Sequence, residues 1–153
     1  MKLSLRGEYA LRALIALGES YEAEVVPMQT VSDRQAIPKR FLEQILNDLR
    51  AGGFVESKRG IAGGYRLAQP PQEITLAQVI RHIEGTLGPM ASLSDKALRL
   101  RPEAGGSQLA IQNVIKQVRS AIVQVLGEVT LAELSHQARQ FQNNLAESPD
   151  YAI

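Results

Sequence analysis

Apolar residues recur along the first seventy positions with two periods in succession. From Ser4 to Glu19 they follow a helical spacing, with Tyr9, Ala13, Leu14 and Leu17 on one side and Arg6, Glu8, Arg12 and Glu19 mostly elsewhere. Pro27 to Arg34 predicts a second, short helix with Met28 and Val31 as its buried contacts, and Gln35-Ala36-Ile37 reads as a tight connection. Pro38 suits the first turn of a third helix, where its missing N–H costs nothing. That helix runs to about Ala51 and stops at Gly52-Gly53. Leu42, Ile45, Leu46 and Leu49 form its buried stripe, and Arg40, Glu43, Gln44 and Asn47 form one polar face. The period then falls to two. Phe54–Lys58 and Tyr65–Ala68 alternate as strands around a glycine-rich turn.

Beyond Pro70-Pro71 the pattern returns to helices. Thr75 and Gln78 have the spacing of a capping box, followed by Leu76, Val79, Ile80 and Ile83 and a stop at Gly85. Residues 86–107, with Gly88, Pro89, Pro102, Gly105 and Gly106, read as a long irregular loop. Gln108 to Glu128 predicts a long helix, and Ile111, Ile115, Val118, Ile122, Val125 and the following Val129 are spaced 4-3-4-3-4, the seam period of a coiled coil. That ridge needs a partner, either this chain's own core or a second copy. Thr130 to Glu133 repeats the capping box and starts a last helix through about Gln142, with a frayed tail from Asn143. Thr-Leu-Ala-Gln at 75–78 is echoed by Thr-Leu-Ala-Glu at 130–133.

The predicted class is mostly α with a small β wing: a winged helix-turn-helix followed by a long helix, a dimerisation helix if its ridge meets a second copy rather than this chain's own core. Residues 1–70 would be the winged-helix unit and 71–107 a connecting helix and sensor-like loop. Residues 108–142 would be the dimerisation and C-terminal helices, and 143–153 a flexible tail.

Composition narrows the chemistry. The 153 residues carry a net charge of only +1, so total charge does not announce nucleic acid. Its distribution does. Residues 34–66 hold seven basic side chains (Arg34, Lys39, Arg40, Arg50, Lys58, Arg59, Arg66) against three acidic ones (Glu43, Asp48, Glu56). With no cysteine there are no disulfides, no thiolate ligands and no cysteine nucleophile. Gly60 to Gly64 lacks the lysine and hydroxyl of a phosphate-binding loop, and no histidine lies in a local catalytic signature. The chain does not read as an enzyme. The apolar run Ala10–Gly18 is too short to span a bilayer and is interrupted by charge, so a cytoplasmic protein with no membrane partner is expected.

A helix that reads DNA must present forked hydrogen-bonding groups to the major groove. Arg40 suits guanine, Gln44 or Asn47 adenine, and Glu43 cytosine N4, while Lys39 near the helix N-terminus suits phosphate. A wing must approach the backbone or minor groove closely. Gly60, Gly63 and Gly64 would permit tight curvature and positive φ. Arg59 is the side chain for the minor groove, Lys58 and Arg66 for phosphates, and Tyr65 for packing on the reading helix or a hydroxyl contact to phosphate. Either feature alone has a bland reading, as a solvated helix face or a plain hairpin. In this order the two together point to double-stranded DNA. The alternative is a winged-helix protein-interaction module without DNA, favoured by Glu43, Asp48 and Glu56 and opposed by Arg40, Lys58 and Arg59.

The segments 1–13 (Met-Lys-Leu-Ser-Leu-Arg-Gly-Glu-Tyr-Ala-Leu-Arg-Ala), Phe41-Leu-Glu-Gln-Ile-Leu46, Arg59-Gly-Ile-Ala-Gly-Gly-Tyr-Arg-Leu-Ala68, Glu73-Ile-Thr-Leu76 and Glu84-Gly85 resemble the Rrf2 family of bacterial winged-helix transcriptional regulators. The resemblance runs from residue 1 to about residue 135. It implies a homodimeric transcription factor, usually a repressor, on a partly palindromic operator, with its long helix at 108–128 crossing its twin. It matches Glu43 to a base-reading glutamate and Arg59 to a minor-groove arginine. Cluster-binding members carry three cysteines in the loop after Glu84-Gly85. Here Leu87 to Pro102 has none, so no bound iron–sulfur cluster and no other cofactor is expected. Glu8, His82 and His136 are the remaining metal-ligand candidates and share no spacing motif. The loop 86–107 is the natural place for a signal from a regulatory protein or a small-molecule effector.

Overall fold

The computed structural model describes residues 3–22, 25–85, 103 and 105–148. The first helix, α1 (Leu5–Gly18), is capped by the Ser4 hydroxyl, which accepts from the Gly7 amide at 3.0 Å. Its inner face is Ala10, Leu11, Ala13, Leu14, Ala16 and Leu17, all buried. The three alanines let neighbouring elements approach its axis closely, and it is the hub of the core. Around it pack α2 (Met28–Gln35), α3 (Lys39–Ala51), α4 (Leu76–Glu84), α6 (Leu131–Glu147) and the second strand of the hairpin β1 (Val55–Lys58) and β2 (Gly64–Leu67).

The turn between α2 and α3 is Ala36-Ile37-Pro38. Ala36 lies in the left-handed region at φ 50°, ψ 46°, an unusual place for a residue with a Cβ. The Ser32 hydroxyl donates to the Ile37 carbonyl at 2.6 Å, and Ile37 is buried. Pro38 is the N-cap of α3 rather than its first helical residue. Leu42, Ile45, Leu46 and Leu49 are buried, as their spacing requires.

The strands pair antiparallel in the register Val55↔Leu67, Glu56↔Arg66, Ser57↔Tyr65 and Lys58↔Gly64. Alternation turns Val55 and Leu67 into the core and Glu56, Lys58 and Arg66 outward. Val26 adds a further bridge, exchanging hydrogen bonds of 2.8 and 2.9 Å with Tyr65.

Both expected capping boxes are present, at Thr75/Gln78 and Thr130/Glu133. They also lie side by side. Thr75 and Thr130 form an antiparallel bridge, with Leu76 N donating to Val129 O at 3.0 Å and Leu131 N to Ile74 O at 2.7 Å. This tie brings Leu131 into the same core as Leu14 and Ile74.

The fifth helix, α5 (Gly105–Glu128), has 24 residues, about 36 Å by the standard rise. It begins three residues before the expected start, so 105–107 are helical rather than loop. The rest of the expected loop, 86–102, lies outside the described residues. No residue of α5 is buried, although it packs along α4. Helix α6 runs five residues beyond Gln142, because Leu134, Ala138, Phe141 and Leu145 carry its apolar spacing onward.

Candidate nucleic-acid interface

The outer face of α3 is open. Lys39, Arg40, Glu43, Gln44 and Asn47 are all exposed, and no described side chain caps the helix N-terminus. The amides of Lys39 and Arg40 therefore add their positive end to two cationic side chains. The Arg40 guanidinium stacks over the exposed Phe41 ring, 4.7 Å from its centroid. Phe41 and Gln44 join Leu5, Tyr9 and Ile45 around a shallow, largely apolar cavity of about 330 Å³ between α1 and α3.

The opposite end of α3 is pinned. His82 Nε2 lies 2.6 Å from the Asp48 carbonyl, and its ring sits 5.6 Å from the Phe54 ring. A Cβ on Gly52 would fall 2.7 Å from that imidazole, so a larger residue here displaces the His82 ring. Arg50 donates to the Ser57 hydroxyl at 3.1 Å, joining α3 to β1. Helix α3 and the hairpin are thereby tied to each other as well as to the core.

The hairpin tip is a turn in which Gly63 N donates to Gly60 O at 3.0 Å. The expected positive φ holds for Gly60 alone, at 113°. Gly63 and Gly64 are required for a different reason. A Cβ on Gly63 would lie 2.3 Å from the Lys58 carbonyl oxygen, and one on Gly64 would lie 2.3 Å from that of Val26. These are backbone atoms that cannot give way. Local curvature was the reason expected from the sequence; close strand approach is the reason found.

Charge is unevenly committed. Asp48 is paired with Arg6, and Glu56 with Arg66 at 2.9 Å across the hairpin. Two of the three acids near the surface are thus neutralised internally, and Arg66 is partly engaged rather than free for phosphate. Lys39, Arg40, Lys58, Arg59 and Glu43 make no ion pair with a described residue. Tyr65 lies on the inner side of the hairpin, half-buried against the core, which gives its ring a packing place.

The expected dimer ridge divides in two. Ile111, Val118 and Val125 are exposed at 58, 42 and 59%, whereas Ile115, Ile122 and Val129 are half-buried by their own chain. Val114, which the seam spacing passes over, is also exposed and lies with the first three.

The model of the Rrf2 family, described as iron-dependent transcriptional regulators, matches residues 3–137. The chain belongs to the Rrf2 family. It is 38% identical over 135 residues to a Mycobacterium tuberculosis protein named as an HTH-type transcriptional regulator, covering 88% of this chain and 81% of that one. It is 31% identical over 135 residues to the HTH-type transcriptional regulator CymR of Bacillus subtilis, covering 88% and 90%. The solved structure of T. potens IscR superposes with a TM-score of 0.72 at 29% identity, covering 93% of this chain and 91% of that one. The chain is a DNA-binding transcriptional regulator with the winged-helix fold of these relatives, which are regulators and not enzymes.

Among the described residues the iron of the family description finds no matching donor set. The chain has no thiolate, and its two histidines are His82, held against Asp48 and Phe54, and His136 on α6. Among the described residues no three His, Asp or Glu side chains converge. Glu8 lies beside Arg12 at 3.5 Å. No described helix is long and apolar enough to cross a membrane.

Proposed function

We propose that this Rrf2 member is a homodimeric, sequence-specific repressor without a bound cluster, acting in the bacterial cytoplasm. Each protomer's winged helix, residues 1–70, takes half of a partly palindromic operator. Glu43, Gln44, Asn47 and Arg40 read base edges in the major groove, and Lys39 holds phosphate. Arg59 enters the minor groove, with Lys58 and, more weakly, Arg66 on the backbone. Gly60, Gly63, Gly64 and Tyr65 shape the wing.

One observation carries this reading: Lys58 and Arg59 stand exposed, with no acidic partner among the described residues, on a hairpin where packing demands Gly63 and Gly64, while the nearby acids Asp48 and Glu56 are already paired. The same pairing weakens the case for an interaction module without DNA, which rested on those acids. The exposed stripe Ile111, Val114, Val118 and Val125 supports a second copy crossing α5. Segment 71–107 then links reading head to dimer helix, and a partner protein or small effector acting there would alter head spacing, which a two-half-site operator senses. The test is to sequence genomic fragments retained by the purified chain. Recovery of fragments sharing an inverted repeat supports the proposal, and recovery with no shared sequence contradicts it.

A further inference from the structure

The tip of the wing carries a side chain that neither the fold nor the turn requires. Ile61 is fully exposed, at 111% of its reference surface, more than any other large apolar residue among the described ones. It occupies the first central position of the Gly60–Gly63 turn, beside Ala62. Turn chemistry favours proline, glycine, asparagine, aspartate or serine at such positions, not a β-branched aliphatic. The hairpin gains nothing from it, since Val55, Tyr65 and Leu67 supply its inward contacts.

Its neighbour along the chain is Arg59, also exposed. A cation and a stiff aliphatic at the end of one narrow hairpin form a composite tip. The cation is drawn by the negative potential of the minor groove; the aliphatic gains only by leaving water. The groove is about 6 Å wide in ordinary duplex, so a branched side chain enters only where the duplex yields.

Resting on the DNA-binding reading, we infer that Ile61 is an apolar wedge. It presses between the minor-groove walls next to the Arg59 guanidinium and makes the protein select an easily deformed pyrimidine–purine step beneath the wing. Sequence choice then has two sources: base edges read by α3, and duplex flexibility sensed by Ile61. The wedge is stiff because its χ1 is restricted and because the turn beneath it is braced by Gly63 and Gly64.

The experiment uses the full chain and the duplex it recovers from a randomised pool. Ile61→Ser is expected to bind that duplex about fivefold more weakly, the loss of one partly buried aliphatic. The slope of log Kd against log salt should equal that of the unaltered chain, because no charge is lost. Ile61→Leu should recover most of the affinity, and sites selected by Ile61→Ser should lose the pyrimidine–purine preference. Equal affinity of Ile61→Ser and the unaltered chain, a changed salt slope, or unchanged step preference would each overturn the wedge. If the unaltered chain recovers no preferred duplex, the DNA-binding reading itself fails and the wedge falls with it. A preferred duplex indifferent to Ile61→Ser removes the wedge alone. Ile61 makes no core contact, so its variants fold as the parent does.

Discussion

The winged head and the long helix α5 are built on opposite economies of surface. In the head, α1 alone buries six apolar side chains, and α3, the hairpin and α4 close around them. In α5, 24 residues pass without one buried side chain, and six large aliphatics are exposed, four of them (Ile111, Val114, Val118 and Val125) along one stripe. Helical stability comes chiefly from packing an apolar face; the head finds its packing within one chain, and the exposed stripe of α5 is where we propose that a second copy packs. Mutations in the two regions should therefore separate cleanly, the first changing stability and the second changing assembly.

The largest effect belongs to the head's centre. Leu14 is fully buried, and Leu14→Ala should cost about 3 kcal/mol in denaturant unfolding and weaken DNA binding only as folded protein is lost. Val118→Glu should do the reverse. Sedimentation should report a monomer, the head's unfolding midpoint should hardly move, and operator affinity should fall by about a hundredfold as the half-sites become independent. A stable dimer of Val118→Glu would show that the second copy lies elsewhere. Gly64→Ala sharpens the comparison within the head. Its Cβ meets the Val26 carbonyl oxygen, so the Val26–Tyr65 bridge must open, at about 2 kcal/mol, with DNA affinity falling further than stability explains. The smallest effect lies where the regions join. Thr130→Ala removes the cap of α6 beside the Thr75–Thr130 bridge and should cost about 1 kcal/mol, read by thermal unfolding.

Much of this was legible in the residue order. The stripes of α1 and α3, both capping boxes and the hairpin follow from spacing and end chemistry alone, and so does the basic excess at 34–66. What was not legible depended on which residues the fold sets against one another. Gly63 and Gly64 look like turn residues until Lys58 and Val26 are seen against them. Arg66 looks like a free phosphate ligand until register sets it opposite Glu56. The ridge from Ile111 to Val129 looks single until the fold half-buries Ile115, Ile122 and Val129, leaving Ile111, Val118 and Val125 bare with Val114 beside them. The echo of Thr-Leu-Ala at 75 and 130 was visible, but its meaning, two helix starts bridged together, is tertiary.

The central claim is that Lys58 and Arg59 of the wing and the open face of α3 hold one duplex together. Its most direct test is the salt dependence of Kd for the unaltered chain and Arg59→Ala on the same selected duplex. The account predicts a steep fall of affinity with salt, and for Arg59→Ala weaker binding at low salt with a slope shallower by about one per wing engaged. A salt-independent Kd, or an Arg59→Ala line lying on that of the unaltered chain, would contradict it.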